Sequence, residues 1–169
     1  INSAKQGKPP GTVNEDLYYV GIGASAGGLE ALRPFVANLP LQTDMTYIIA
    51  QHMSPDHKSL MVELLARETQ LIVLEATNNL VPRPDTIYVV PPNADITVVK
   101  GRFRVSRPTN TIGPKPSVDR FFMSLRHRAR PSDGEAVAAI REACEETGLC
   151  LGRKAPRGNT SASKLVGDW

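Results

Sequence analysis

The sequence predicts an α/β fold, a doubly wound and mainly parallel sheet with helices on both faces and a small antiparallel hairpin. Three observations carry that expectation. From residue 17 to about 106, short apolar runs alternate with segments of helical period, which is the pattern of βαβ units. The first apolar run enters a glycine-rich turn that leads directly into a helical pattern at Leu29. Late in the segment, Lys100-Gly101 separates two short apolar runs, as in a tight hairpin.

Taken in order, strands are expected at Tyr18 to Ile22, Thr46 to Ala50, Leu71 to Leu74 and Thr86 to Val90, with the hairpin at Ile96 to Val99 and Arg102 to Val105. Helices are expected from Leu29 to Asn38, Lys58 to Glu68, Ser117 to Arg126 and Glu135 to Thr147. In the last of these, Val137, Ile140 and Cys144 form one apolar stripe, Ser132-x-x-Glu135 is a capping box and Gly148 suits the C-terminal cap. A chain of 169 residues buries one core and is too short for two comfortable ones. Residues 1–16 read as a flexible leader or linker, residues 17–151 as the domain and residues 152–169 as a loose, unassigned tail.

Composition narrows the class. With 41% apolar and 22% charged residues, the chain has the balance of a soluble globular protein. Its longest apolar runs fall far short of the ~20 residues a membrane helix needs, and the polar start carries no signal-peptide core, so a cytoplasmic location is expected. The net charge of +3 is concentrated at Arg126-His127-Arg128-Ala129-Arg130 and around Arg153, Lys154 and Arg157. With only 5% aromatic residues, that charge reads as a solvated helix end rather than a nucleic-acid surface, although an acidic protein partner stays open. Cys144 and Cys150 have no His or Cys partners at ligand spacing and read as free thiols, so no metal is expected.

Residues 20–28 read Val-Gly-Ile-Gly-Ala-Ser-Ala-Gly-Gly. Gly23-x-Ser25-x-Gly27 lets a serine occupy a sharp strand-to-helix turn and makes Ser25 a candidate nucleophile. The free N–H groups of Ala26, Gly27 and the helix start behind it suit an oxyanion. Two other readings stay open: a dinucleotide fingerprint in Gly21-x-Gly23-x-x-Ala26, and a plain turn with a solvated serine. The cofactor reading wants an acid at the end of the second strand, where the chain has Gln51-His52, and Asp44 precedes that strand at the wrong end. His52 follows the second strand at the edge where the Ser25 turn emerges and is the candidate base, ahead of His57 and His127. Asp133 is the candidate carboxylate for orienting the imidazole, and equally a first-turn residue favoured by the helix dipole.

These residues, with Gln51-His52-Met53, Pro91-Pro92-Asn93 and Ser117-Val118-Asp119-Arg120-Phe121-Phe122, closely resemble the catalytic domain of chemotaxis protein-glutamate methylesterases of the CheB type. The similarity is greatest to those at the front of methylesterase–methyltransferase fusions, and it runs from residue 17 to about 126. The resemblance implies hydrolysis of glutamyl methyl esters on the cytoplasmic helices of methyl-accepting chemoreceptors, releasing methanol without a cofactor. It assigns Ser25 as nucleophile, His52 as base and then acid, and Asp133 as the orienting carboxylate. It also implies methyltransferase and signalling domains, fused or separate, as partners, with any phosphorylation control coming through such domains.

The chain departs from the family pattern after Arg126. A strand and a glycine-rich loop of the form Ser-Gly-x-Gly-x-Asp-Gly are expected before the aspartate, whereas residues 126–134 read Arg-His-Arg-Ala-Arg-Pro-Ser-Asp-Gly. A strand near the C-terminus is therefore expected to be missing; Ala138-Ala139-Ile140-Arg141-Glu142-Ala143 and Gly148-Leu149-Cys150-Leu151 again resemble the family's following helix and strand, and beyond Leu151 the family's Asp-Pro and Met-Pro-Arg segments do not follow. An internal deletion with a changed reading frame produces this combination, as does divergence with function retained. Losing a strand forfeits ~1.5–3 kcal/mol for each large apolar residue it would bury, against a total stability of ~5–15 kcal/mol. A catalytically inactive relative that binds a receptor or partner is accordingly the second functional reading.

Overall fold

The computed structural model describes residues 13–14, 17–24, 28–52, 60–108, 116–126 and 149–154. Its main sheet contains β1 (Tyr18–Ala24), β2 (Met45–Gln51), β3 (Ile72–Glu75), β4 (Thr86–Val89) and β7 (Leu149–Lys154), in the order β3-β4-β2-β1-β7. The first four pair in parallel with one another, and β7 runs antiparallel to β1. A separate hairpin comprises β5 (Asp95–Val99) and β6 (Arg102–Ser106). The helices are α1 (Leu29–Ala37), α2 (Met61–Ala66) and α3 (Val118–Arg126).

Alternation along the strands divides the core into two layers, as the period of two requires. Ile22 and Ala24 of β1, Tyr47 and Ile49 of β2 and Ile87 and Val89 of β4 pack with Leu32 and Val36 of α1 and Met61 and Leu65 of α2. Tyr19, Ile48, Ala50, Tyr88 and Val90 face the other way, onto Ile96, Val98 and Phe103 of the hairpin and Phe121 and Leu125 of α3. Helices thus cover both faces, as expected from the sequence. On the hairpin side Tyr88 and Phe103 meet edge to face, with ring centroids 5.0 Å apart.

The predicted strands all form, with ends moved by one or two residues. Lys100 (φ 49°) and Gly101 (φ 75°) both adopt the left-handed conformation that a two-residue hairpin loop of the primed type requires. Val13 packs against Gly101, so the segment read as a flexible leader has a residue seated on the hairpin. At the other end β7 continues to Lys154, three residues beyond Leu151. Among the described residues β1 has no second parallel neighbour, and antiparallel β7 takes that flank. The predicted helix at 135–147, Cys144, His57 and His127 lie outside the described residues, as does the side chain of Cys150.

The hairpin and α3 are joined through Asp95. Asp95 is 4% exposed, and its carboxylate accepts the Ser117 N–H at 2.9 Å and pairs with Arg120 at 3.5 Å. On the opposite face Arg33 of α1 pairs with Glu68 just beyond α2, at 2.6 Å. That pair is partly exposed and contributes at most about 1 kcal/mol. The buried acid is therefore the more consequential anchor.

Burial pushes the Tyr47 and Tyr88 phenols above their usual value. For Tyr47 a hydrogen bond with Thr43 opposes the shift and the charge of Asp85 adds to it, while for Tyr88 the backbone of Arg83, the Thr86 side chain and the Arg83 charge oppose it. The unfolded chain ionises from about pH 10 while the folded phenols hold their protons to higher pH, so this contribution is complete below about pH 10 and is lost as pH rises from there through the raised folded-state value. A lower urea midpoint at pH 11 than at pH 8 is expected, and Tyr88→Phe should reduce the difference.

Candidate active site

Because β1, β2 and β4 are parallel, their carboxyl ends meet at one edge of the sheet, where ligand crevices form in open α/β sheets. The register places Ala24 opposite Gln51. His52 continues the ladder one residue past β2, its backbone N–H donating to the Ala24 carbonyl at 2.9 Å. That bond fixes the backbone of His52 against the residue that immediately precedes Ser25 in the sequence. The His52 side is half-buried, so the imidazole is neither sealed in the core nor fully in solvent.

On the other flank the Val90 N–H donates to the Ile49 carbonyl at 2.9 Å, which brings Pro91-Pro92-Asn93 to the same edge. Asn93 has φ 51°, a left-handed conformation that asparagine tolerates better than most residues. Gly28 is the N-cap of α1, and the helix runs back from this edge, so the positive end of its dipole belongs to the crevice. Ser25, Ala26, Gly27 and Asp133 lie outside the described residues. Of the predicted site, the structure describes His52 and the elements that flank the serine turn.

Gly21 has a different explanation from a dinucleotide fingerprint. A Cβ on Gly21 would stand 2.8 Å from Leu125 Cδ1, 2.9 Å from Phe122 Cε1 and 3.0 Å from Phe121 Cε1. Close packing of α3 on β1 thus requires glycine at this position. Asp44 lies at the amino end of β2, where its carbonyl accepts the Tyr18 N–H at 2.8 Å, and Gln51-His52 ends the strand. The ribose-binding acid of a nicotinamide site has no counterpart there.

One residue of this edge carries a signal that sequence reasoning missed. Gln51 is 4% exposed, and among the described residues its Oε1 is a buried oxygen that accepts no hydrogen bond. An unpaired buried acceptor costs about 1–3 kcal/mol, and among the described residues the other buried side-chain polar atoms are paired. The clue in the sequence is a carboxamide closing an apolar run directly ahead of the candidate base. Among the described residues, no group of three His, Cys, Asp or Glu side chains is placed to hold a metal, and no helix is long and apolar enough to cross a membrane.

The fold and this edge define a doubly wound α/β protein whose first two strands end side by side at the carboxyl edge of the sheet. A family model described as CheB methylesterase matches residues 20–140, and the chain belongs to that family. The match extends past Arg126, where the continuous motif resemblance ends, to residue 140. The chain is 32% identical over 138 residues to the protein-glutamate methylesterase/protein-glutamine glutaminase of group 3 operon of Rhizobium meliloti (strain 1021), covering 81% of this chain and 38% of that protein. It is 30% identical over 129 residues to a protein-glutamate methylesterase/protein-glutamine glutaminase of Maricaulis maris (strain MCS10), covering 74% of this chain and 32% of that protein. The chain therefore spans about a third of the length of these curated relatives. The crystal structure of the Thermotoga maritima CheB methylesterase catalytic domain matches with a TM-score of 0.56 at 24% identity, covering 64% of this chain and 59% of that chain, which establishes the likeness of fold.

Proposed function

We propose that this chain is the catalytic part of a protein-glutamate methylesterase that acts on methylated glutamates of chemoreceptor cytoplasmic helices, working in the cytoplasm. The observation that carries the reading is the His52 N–H bond to the Ala24 carbonyl, which holds the base-bearing strand end against the strand end that leads into Ser25. Membership of the CheB methylesterase family supports the same chemistry. Residues 17–151 form the working domain in this reading, with methyltransferase and signalling domains, fused or separate, as partners.

The mechanism follows from the residue types. Ser25 Oγ attacks the ester carbonyl while His52 takes its proton, and the oxyanion is met by N–H groups of Ala26, Gly27 and the start of α1. His52 returns the proton to the departing methoxy oxygen, so methanol leaves and an acyl-serine remains. Water, deprotonated by His52, then breaks the acyl bond and restores the glutamate carboxylate and the serine hydroxyl. In this reading Asp133 orients the imidazole and stabilises its charged form, the role that the resemblance assigns to it. No metal or organic cofactor enters this scheme.

A specific observation favours a second reading. The antiparallel β7 occupies the flank of β1, so among the described residues no parallel strand there delivers a carboxylate loop to the crevice. A receptor- or partner-binding relative without turnover fits that arrangement. Methanol release from a methylated chemoreceptor fragment separates the two: the hydrolase releases it and Ser25→Ala does not, whereas the binding relative releases none with the fragment still bound.

A further inference from the structure

We propose that the outer face of the β5–β6 hairpin docks a helix bearing acidic side chains and guides it to the carboxyl edge of the sheet; that this helix is the substrate's rests on the hydrolase reading. Strand pairing sets the face. Val99 pairs with Arg102 and Thr97 with Arg104, so these four share one side of the hairpin, while Ile96, Val98 and Phe103 are buried on the other. Arg104 is exposed, Lys100 is exposed in the hairpin loop and Arg107 is exposed just past β6. Among the described residues, none of these three cations forms an ion pair. Arg102 is half-buried and donates to the Asn79 carbonyl at 3.1 Å. The hairpin's single acid, Asp95, is buried against Arg120 of α3 and does not offset this charge.

The cationic row has a direction. At the loop Gly101 meets Val13, which precedes the amino end of β1, and at the other end Ser106 pairs with Asp95, two residues after Pro91-Pro92-Asn93 at the carboxyl edge. β6 therefore leads toward the edge where His52 emerges. Alternate residues on a strand stand about 6.8 Å apart and helix residues four apart rise about 6 Å, so carboxylates along one stripe of a helix match Arg102 and Arg104. Guanidinium groups favour carboxylates as two-pronged acceptors. Nucleic acid fits less well, because among the described residues this face offers no aromatic ring for base stacking, and its few cations fall short of the roughly 6–10 phosphate contacts of a nucleic-acid surface. In the hydrolase reading the substrate helix carries glutamates, and the row seats the unesterified ones while the ester reaches the crevice.

Binding tests the face without turnover. A fluorescent alanine-based helical peptide of about 20 residues with glutamate at every fourth position is titrated against the full chain, beside a copy with glutamine at those positions. The glutamate peptide should bind about tenfold tighter, weaken as salt rises, and lose about fivefold in affinity with Arg104→Glu. Arg67→Glu makes the same change of charge at the exposed end of α2, on the other layer, and should cost less than about twofold. Arg107→Glu, at the edge end of the row, should weaken binding as well and covers an Arg104 variant that fails to fold. Equal weakening by Arg67→Glu and Arg104→Glu, equal binding of the two peptides, or tighter binding of a single-stranded oligonucleotide than of the glutamate peptide would overturn the inference. With a methylated chemoreceptor fragment, Arg104→Glu should raise KM and leave kcat unchanged, and an unchanged KM would overturn the guiding role. A chain that releases no methanol yet keeps the glutamate preference at the hairpin refutes the hydrolase reading and leaves the docking face standing.

Discussion

Gly21→Ala is expected to destabilise the domain by about 1–3 kcal/mol, and Gly21→Val to leave much of the protein unfolded at 25 °C. The new Cβ would lie within 3.0 Å of Leu125, Phe122 and Phe121, three side chains on one face of α3. Phe121 and Leu125 are buried at 0% and 2% exposure, so neither can swing into solvent. Against this, replacing a strand glycine recovers roughly 0.5–1 kcal/mol of backbone entropy, which is smaller than the overpacking cost. Packing therefore decides the sign. Urea denaturation of the three proteins measures it, and a Gly21→Val chain as stable as the parent would mean that α3 does not rest on β1. Phe122, half-buried, is the neighbour best able to yield, so Phe122→Leu should recover part of the loss in Gly21→Ala.

The largest functional effect is expected at His52. His52→Gln keeps a polar side chain of similar size and preserves the backbone bond to Ala24, since that bond uses only the main-chain N–H. It removes the proton acceptor, and loss of the base in a serine hydrolase costs about 10⁴-fold or more in turnover. Methanol release should fall by at least that factor while the urea midpoint stays within about 0.5 kcal/mol of the parent, as for a substitution outside the core. A loss of activity matched by a loss of stability would assign His52 to structure instead.

The fold was legible because its strands are short apolar runs of clear period. Val20 and Ile22 alternate with Tyr19 and Gly21 between two different layers, and Tyr47 to Ala50 does the same, which a parallel sheet covered on both faces requires. The hairpin was legible in Lys100-Gly101 for the conformational reason given above. What the sequence did not disclose was the role of Gly21, because a glycine in a G-x-G motif reads alike whether a phosphate or a phenylalanine approaches it. The antiparallel pairing of β7 with β1 was also hidden, since strand direction follows from chain connectivity that apolar period does not encode. Of the candidate site, the edge position of His52 was readable from its place after an apolar strand. The unpaired Oε1 of Gln51 was not, because pairing depends on neighbours distant in sequence.

The account turns on Ser25 being a nucleophile activated by His52, and that is tested most directly by covalent labelling with a fluorophosphonate followed by peptide mapping. The predicted result is a single adduct on Ser25 that forms much more slowly in His52→Gln. An unlabelled Ser25 in folded protein, or an adduct that forms as fast without His52, would contradict it.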